Sequence, residues 1–239
     1  MQSPFIFDLY TRVILPRKNY YSFPEIEGVR SMLAKNDTKI QVNELGAGSH
    51  ISNGSSRKIS TIVNNAAKSE RIGQVLFSLC NHFQPYNCIE LGTSLGISTL
   101  YQYNARKDAN WTTIEGCPEI ARYAKKVFSA HKAGNIKIEI GSFSQVLPKV
   151  LSTLDKVDYV FFDGNHTKKS TISYFETCID KAHAATYFVF DDIHWSSEME
   201  EAWEYITRHE KVVVTVDLFW MGLVFFNPKQ EKENFSLKF

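Results

Sequence analysis

The feature that most constrains the fold is a regular alternation, from Ser69 onward, of short apolar runs with longer amphipathic stretches. The runs have the length of buried strands, and the stretches between them carry apolar residues at helical spacing. This alternation predicts a parallel sheet with right-handed helical crossovers. The predicted strands are Cys88–Leu91, Trp111–Ile114, Ile136–Ile140, Val157–Phe162 and Tyr187–Phe190, and the helices between them lie near Ser98–Ala105, Pro118–His131, Phe143–Leu154 and Lys168–Ala182.

The end of the chain breaks this alternation. Two further apolar runs, Val212–Val216 and Gly222–Phe226, are joined by only the few residues Asp217–Met221. A connection this short cannot cross over a sheet, so the two strands must be antiparallel. The sequence therefore predicts an α/β fold with a seven-stranded mixed sheet, its last strand antiparallel, flanked by helices.

The first 68 residues follow a different pattern. A first helix starts at Ser3-Pro4, and a second starts at Ser22-Phe23-Pro24. The stretch Asn43–Asn65 is rich in Gly, Ser and Asn, which predicts a loop or lid. We expect residues 1–68 to form a helical and loop cap that is not an independent domain, over a main domain of residues 69–239.

Composition limits the classes of protein and of partner. Hydrophobic residues make up 44% and charged residues 22%, as in globular proteins, which excludes a disordered or fibrous chain. The 27 basic and 26 acidic residues give a net charge of +1, so we expect no nucleic-acid or membrane partner. No apolar run reaches the ~20 residues of a membrane helix, and the four cysteines form no metal-binding pair. We expect a cytoplasmic protein with reduced thiols.

A glycine-rich turn follows the first predicted strand, in the segment ELGTSLGIST. Gly92 and Gly96 allow tight backbone geometry and close approach of a ligand to the next helix. Ser94 stands where a dinucleotide-binding fingerprint has a glycine, which disfavours a nicotinamide cofactor. Glu90 can accept a hydrogen bond from a ligand amine, and Ser98 opens the helix; a tight turn without a ligand is the alternative.

Two later strand ends complete a predicted nucleoside site. Glu115 ends the second strand, where a carboxylate accepts hydrogen bonds from both ribose hydroxyls. Ser142 and Phe143 follow the third strand, where a backbone N–H and an aromatic face meet an adenine. The segment Glu44–Ser49 resembles the glycine turn but lacks strong flanking elements, so we assign it to the N-terminal loop.

These residues resemble the class I S-adenosylmethionine-dependent methyltransferases. The segment ELGTSLGIST resembles motif I of that family, Glu115 its ribose-binding acid, and the final strand pair its reversed seventh strand. The resemblance covers about two-thirds of the chain and implies a Rossmann-like fold. The segments Asp163–His166 and Asp191–Trp195 resemble most closely the small-molecule O-methyltransferases of the catechol and macrocin type.

Three carboxylates follow two neighbouring strands of the predicted sheet. Asp163 ends the fourth strand, and Asp191 and Asp192 end the fifth. Unpaired, they would repel one another and raise their pKa values, and a divalent cation would relieve this. The resemblance implies magnesium at these positions. The alternative is that Asp163 only contacts the cofactor, while Asp191 and Asp192 accept hydrogen bonds from backbone groups.

The general base is harder to assign. Sugar-type relatives carry Asp-Gly-Asp, but Asn165 stands at the second Asp here and cannot take a proton. His166 and His194 are the nearby candidates, alongside Asp163, because imidazole titrates near neutral pH. Losing that Asp disfavours an alkyl hydroxyl more than a phenol as the acceptor.

The expected function is methyl transfer from S-adenosylmethionine to an oxygen of a small molecule, assisted by magnesium. Two alternatives stay open: a metal-independent N- or O-methyltransferase, and a methyltransferase-fold protein that binds the nucleoside without chemistry. A homodimer is also left open. Four aromatic residues are candidates for an acceptor pocket: Tyr20, Tyr21, Trp195 and Trp220.

Overall fold

The computed structural model describes residues 3–42 and 55–238. Ten strands lie in these ranges: β1 Lys39–Val42, β2 Ser55–Lys58, β3 Asn87–Leu91, β4 Asn110–Glu115, β5 Lys137–Ile140, β6 Tyr159–Phe162, β7 Tyr187–Asp191, β8 Val214–Asp217, β9 Met221–Phe225 and β10 Glu233–Ser236. The helices are α1 Pro4–Asp8, a π-helix Leu9–Ile14, α2 Ser22–Ala34, α3 Ile59–Ala66, α4 Glu70–Phe83, α5 Ile97–Ala105, α6 Pro118–Ala130, α7 Phe143–Ser152, α8 Lys168–Ile179 and α9 Ser197–Arg208.

The main sheet has eight strands in the order β10-β8-β9-β7-β6-β3-β4-β5. Its strands are parallel except β9, which pairs antiparallel with both β7 and β8. This confirms the α/β fold and the reversed seventh strand. The chain starts in the middle at β3, builds outward to β5, then returns to β6 on the other side. The carboxyl ends of β3 and β6 therefore flank the switch point, where open α/β sheets bind ligands.

The central strands of the sheet, such as β6 and β7, are buried on both faces, as their apolar residues predict. Tyr159 and Phe161 of β6 face a core shared with α4 and the N-terminal helices, while Val160 and Phe162 face a core shared with α8 and α9. All four side chains are at most 5% exposed. Only the strand ends thus remain available for polar function.

The N-terminal helices share the core of the main sheet. Phe23 of α2 is buried, with its ring 5.0 Å from that of Phe77 and 5.3 Å from that of Tyr101. The Tyr101 hydroxyl donates a hydrogen bond to Glu27 at 2.9 Å. These contacts cross from α2 to α4 and α5. They are consistent with the expectation that residues 1–68 do not fold as a separate domain, which stays a prediction.

The structure corrects several local predictions. The predicted loop Asn43–Asn65 contains β2 and α3, and α3 buries Ile59, Ile62 and Val63 at helical spacing. Residues 43–54, which include the segment Glu44–Ser49, lie outside the described residues. The first helix continues as a π-helix, and β10 adds an eighth strand beside β8. Helix α6 ends at Ala130, one residue before the predicted end at His131, and Lys132 takes the left-handed conformation after it (φ +54°).

Within the ranges that the structure describes, no helix is both long and apolar enough to cross a membrane.

Candidate functional site

The glycine turn between β3 and α5 depends on three left-handed residues. Gly92, Ser94 and Gly96 have φ angles of +104°, +48° and +84°. A Cβ on Gly92 would collide with the carbonyl oxygen of Asp163, and one on Gly96 would collide with the ring of Phe128. The backbone N–H of Asp163 also donates to Leu91 O at 2.9 Å. The turn is thus pressed directly against the end of β6.

Glu90 lies beneath this turn rather than in it. Its side chain is 0% exposed and accepts hydrogen bonds from Ser98 (2.9 Å), Gln102 (2.8 Å), Thr113 (2.7 Å) and Thr99. Burial raises the pKa of Glu90 to about 7, against the lowering effect of the hydroxyl donors. Glu90 and Ser98 therefore hold α5 against the sheet, and the expectation that these two residues contact the cofactor stays a prediction.

Glu115 joins the ends of the first two parallel strands. Its two carboxylate oxygens accept backbone N–H groups, one from Ser94 and one from Cys117, each at 2.9 Å. Burial raises the pKa of Glu115, and these N–H donors oppose that rise. Each carboxylate oxygen has two acceptor sites, so the group retains capacity for two ribose hydroxyls.

The end of β5 carries the predicted adenine contacts. Ser142 is the N-cap residue of α7, and Phe143 is its first residue. The Phe143 ring packs edge-on against Tyr174, with centroids 5.7 Å apart, and lies against Gly164. Phe143 is thus fixed beside the end of β6, on the same sheet edge as Glu115, and is partly exposed.

A lysine that the sequence analysis did not single out lies among the three predicted metal ligands. The Lys68 ammonium is 3.1 Å from Asp163 Oδ1 and 3.6 Å from Asp192 Oδ2, and it hydrogen-bonds Asp191 Oδ2. The three carboxylates come from the ends of β6 and β7, as predicted. Lys68 comes from the short connection between α3 and α4.

This cluster is shielded from solvent. Asp191 is 1% exposed and Lys68 14% exposed. Burial opposes the charge on Lys68, but Asp163, Asp191 and Asp192 hold its pKa above the ordinary value. Burial, together with Asp163, raises the pKa of Asp191. The other oxygen of Asp191, Oδ1, is buried without a hydrogen-bond partner in the described structure.

The two candidate histidines have different surroundings. His166 Nε2 is 4.0 Å from Asp163 Oδ1 and 3.9 Å from Asp192 Oδ2, at the edge of the cluster. His194 hydrogen-bonds Asp217 at 2.8 Å and Glu200 at 3.3 Å, so both its ring nitrogens are engaged. Burial lowers the pKa of His194, but these carboxylates raise it overall. His194 therefore ties β8 to α9, and His166 is the better-placed base.

Exposed aromatic residues follow β7 and fill the turn between β8 and β9. Trp195, Phe219 and Trp220 are each more than half exposed. The Trp220 carbonyl accepts the N–H of Asp192 at 2.9 Å, which places this turn beside the carboxylates. Tyr20 and Tyr21 lie elsewhere: Tyr20 packs on Phe77, and Tyr21 contacts Lys107. The latter two do not belong to an acceptor pocket.

A narrow cleft runs along the glycine turn. It is lined by residues of the turn, by Asp163 and by the connection that carries Lys68: Ala66, Ala67, Lys68, Thr93, Ser94, Leu95, Ile97, Ser98 and Asp163. Its walls therefore combine backbone of the turn with the acidic cluster. Asp163 lines this cleft directly, and Glu115 lies next to it because it accepts the N–H of Ser94, which is a lining residue.

Comparison with known proteins agrees with this architecture. Residues 89–193 match the family model of a methyltransferase domain. No curated protein matches the chain significantly. The residues matched by the family model run from β3 through the end of β7, so they include the glycine turn and all three carboxylates.

Solved structures of methyltransferases share the fold at low identity. An O-methyltransferase from Bacillus cereus, in complex with S-adenosylhomocysteine, is 15% identical, with 92% of this chain and 97% of that chain covered and a TM-score of 0.60. TomG from Streptomyces achromogenes is an O-methyltransferase of tomaymycin synthesis, solved in complex with S-adenosylmethionine. It is 15% identical, with 93% of this chain and 95% of that chain covered and a TM-score of 0.62. The methyltransferase PaMTH1 of Podospora anserina, bound to S-adenosylhomocysteine, is 15% identical, with 89% of this chain and 99% of that chain covered and a TM-score of 0.59.

Fold, family model and strand-end residues lead to one conclusion. The reversed β9 and the switch point beside the glycine turn are the expected features of class I methyltransferases. Residues 89–193 therefore match a methyltransferase domain, and the fold is the one seen in solved methyltransferases bound to S-adenosylmethionine or S-adenosylhomocysteine.

Proposed function

We propose that this protein transfers a methyl group from S-adenosylmethionine to an oxygen of a small aromatic molecule. The observation that carries the proposal is the glycine turn at the switch point of the sheet, which contacts Glu115 through Ser94, packs against Asp163 and lines a cleft. The O-methyltransferase structures that share the fold support an oxygen acceptor.

The residues at this edge of the sheet fit the cofactor by their donor and acceptor chemistry. Glu115 would accept the ribose hydroxyls, and Phe143 would pack beside the adenine. The turn from Gly92 to Gly96 would lie against the amino-acid part. S-adenosylmethionine supplies a methyl group on a positively charged sulfur, which leaves as a neutral thioether when an oxygen attacks.

The chain then has to align the acceptor and remove its proton. His166 is 3.9–4.0 Å from two carboxylates, which would stabilise the imidazolium after it takes a proton. The exposed rings of Trp195, Phe219 and Trp220 offer a stacking surface for an aromatic acceptor. A phenol suits this site because it needs less help to ionise than an alkyl hydroxyl.

The magnesium site that the sequence predicts is occupied by a side chain in this arrangement. Ligand atoms of Asp163, His166 and Asp191 lie within 4.8 Å of one another, which is close enough for one ion. However, the Lys68 ammonium lies among the same carboxylates. As arranged, the residues do not fit a divalent ion, so the proposed reaction contains no metal step.

The proposal is tested by methyl transfer from methyl-labelled S-adenosylmethionine to a panel of phenols, sugars, amines and thiols. We expect label in a phenol. His166→Ala should lower turnover by about 100-fold, the usual effect of losing a general base, with little change in affinity for S-adenosylhomocysteine. His194→Ala should affect turnover only through stability. Transfer to amines alone would contradict the oxygen acceptor, and full activity of His166→Ala would contradict the assigned base.

A further inference from the structure

The acidic cluster at the ends of β6 and β7 already contains a cation. Lys68 Nζ contacts three carboxylates, and no other described cation has this number of acidic partners. Asp163 and Asp191 both lie within hydrogen-bond distance, and Asp192 lies 3.6 Å away. An ammonium has three N–H donors; one is donated to Asp191, and the other two remain for Asp163, Asp192 or a ligand.

The backbone on both sides holds Lys68 in this position. The Ala67 N–H donates to Val63 O at 3.1 Å, which ends α3. Ser69 caps α4 by accepting the N–H of Ile72 at 3.4 Å. The connection between the two helices is therefore short and fixed at both ends. The Lys68 side chain lines the cleft beside the glycine turn and does not extend into solvent.

This position matters because a lysine and a divalent ion would compete for the same oxygens. Magnesium requires carboxylate oxygens at about 2.0–2.1 Å in near-octahedral geometry. An ammonium within hydrogen-bond reach of those oxygens repels a second cation there, and its hydrogen bond to Asp191 occupies an oxygen that the metal would need. Removing Lys68 would leave three carboxylates close together without a counter-charge, which is the arrangement that recruits a metal ion.

We propose that Lys68 is the resident cation of this acidic cluster and takes the place of a divalent metal. In the reaction, an N–H of Lys68 that is not donated to Asp191 would hold the acceptor oxygen beside His166, so the chain itself would supply the positive charge at this position. This second step rests on the proposed function, whereas the occupation of the cluster does not.

The test is Mn²⁺ binding to the full chain without cofactor or acceptor, measured by electron paramagnetic resonance and by calorimetry. We expect the unmodified protein to bind Mn²⁺ no more tightly than about 1 mM. Lys68→Ala should gain one site at least about tenfold tighter, and its melting temperature should rise with added Mn²⁺. Adding Asp191→Asn to that variant should remove the gain.

Two matched variants control for charge and for loss of a surface lysine. Lys68→Arg keeps a cation and should bind no Mn²⁺. Lys211→Ala removes an exposed lysine paired with Asp180 at 2.8 Å, and it should behave as the unmodified protein. Stoichiometric Mn²⁺ binding to the unmodified protein overturns the proposal, and so does a folded Lys68→Ala protein that gains no site.

If Lys68→Ala does not fold, measurements on the unmodified protein still test the proposal. Absence of Mn²⁺ binding together with methyl transfer undiminished by a chelator supports the proposal, and Mn²⁺ binding or loss of transfer in chelator overturns it. Failure of the proposed function is recognised separately, because it would show as absent binding of S-adenosylhomocysteine, whatever the metal result.

Discussion

Glu90 is a fully buried carboxyl group whose protonation couples the stability of the fold to pH. Its folded pKa is about 7, above the ordinary 4.5, because burial disfavours the charged form. The folded protein therefore holds this proton more tightly than the unfolded chain. Its contribution to stability is complete below the unfolded pKa and is lost as pH rises through the folded pKa.

Glu90→Gln should remove this pH dependence. Between about pH 4.5 and pH 7, the unmodified protein should lose up to about 3 kcal/mol of unfolding free energy from this group. The loss should be much smaller in Glu90→Gln. Urea unfolding at pH 5 and pH 8 measures the difference, with the exposed Glu139→Gln as control. Parallel pH curves for the two proteins would show that Glu90 stays charged or exposed.

Within the acidic cluster, the positions of the carboxylates could be predicted from the sequence, but the position of the lysine could not. Asp163, Asp191 and Asp192 could be assigned to one sheet edge because each follows a buried parallel strand. Lys68 could not, because it lies in the polar segment Ala67–Glu70 and meets Asp191 across 123 positions. No local pattern encodes such a contact. The one available signal was electrostatic: three adjacent carboxylates require a counter-charge, which a lysine can supply as well as a metal ion.

At the scale of elements, strands with apolar side chains on both faces were predictable and polar edge elements were not. The five parallel strands were located within a few residues, because apolar residues either run continuously, as in Tyr159–Phe162, or alternate at strand spacing, as in Ile136–Ile140. Strand β10, with the residues Glu233–Ser236, has no such run and pairs only with β8. Helix α3 was missed because the Gly- and Ser-rich composition around it hid the helical spacing of Ile59, Ile62 and Val63.

The glycine turn gives the sharpest prediction for an element. Gly92→Ala should lower the unfolding free energy by at least about 1–3 kcal/mol, since its φ is +104° and the new Cβ meets the backbone of Asp163. Gly134→Ala is the matched control, because nothing lies within 4 Å of its Cβ position. Denaturant unfolding of both variants checks this. Equal stability of the two would mean that the turn is not pressed against β6.

For the whole molecule, the N-terminal helices and the main sheet share one hydrophobic core. The amphipathic spacing of α2 indicated a buried face, but its partners on α4 and α5 could not be read from the sequence. The predicted cap lines the cleft beside the glycine turn with its last residues, Ala66, Ala67 and Lys68. Its packing and the position of Lys68 depend on each other.

Phe23→Ala should therefore destabilise the whole protein. Phe23 is 4% exposed and lies between Phe77 and Tyr101, so its truncation should cost about 3–5 kcal/mol. The cost should be visible as a single unfolding transition at lower temperature. Phe7→Ala, at a ring that is 58% exposed, should have little effect. Calorimetry that shows two transitions, only one of them shifted, would indicate an independent N-terminal domain.

The central claim is that the strand-end site binds S-adenosylmethionine and its product. Its most direct test is calorimetric titration of the unmodified protein and of Glu115→Ala with S-adenosylhomocysteine. We expect one site per chain, and an affinity at least about tenfold weaker for Glu115→Ala, since hydrogen bonds to a charged group contribute about 1.5–3 kcal/mol each. Glu139→Ala should bind as the unmodified protein does. Equal affinity of the unmodified protein and Glu115→Ala would remove Glu115 from the site, and binding of NADH instead of S-adenosylhomocysteine would contradict the whole account.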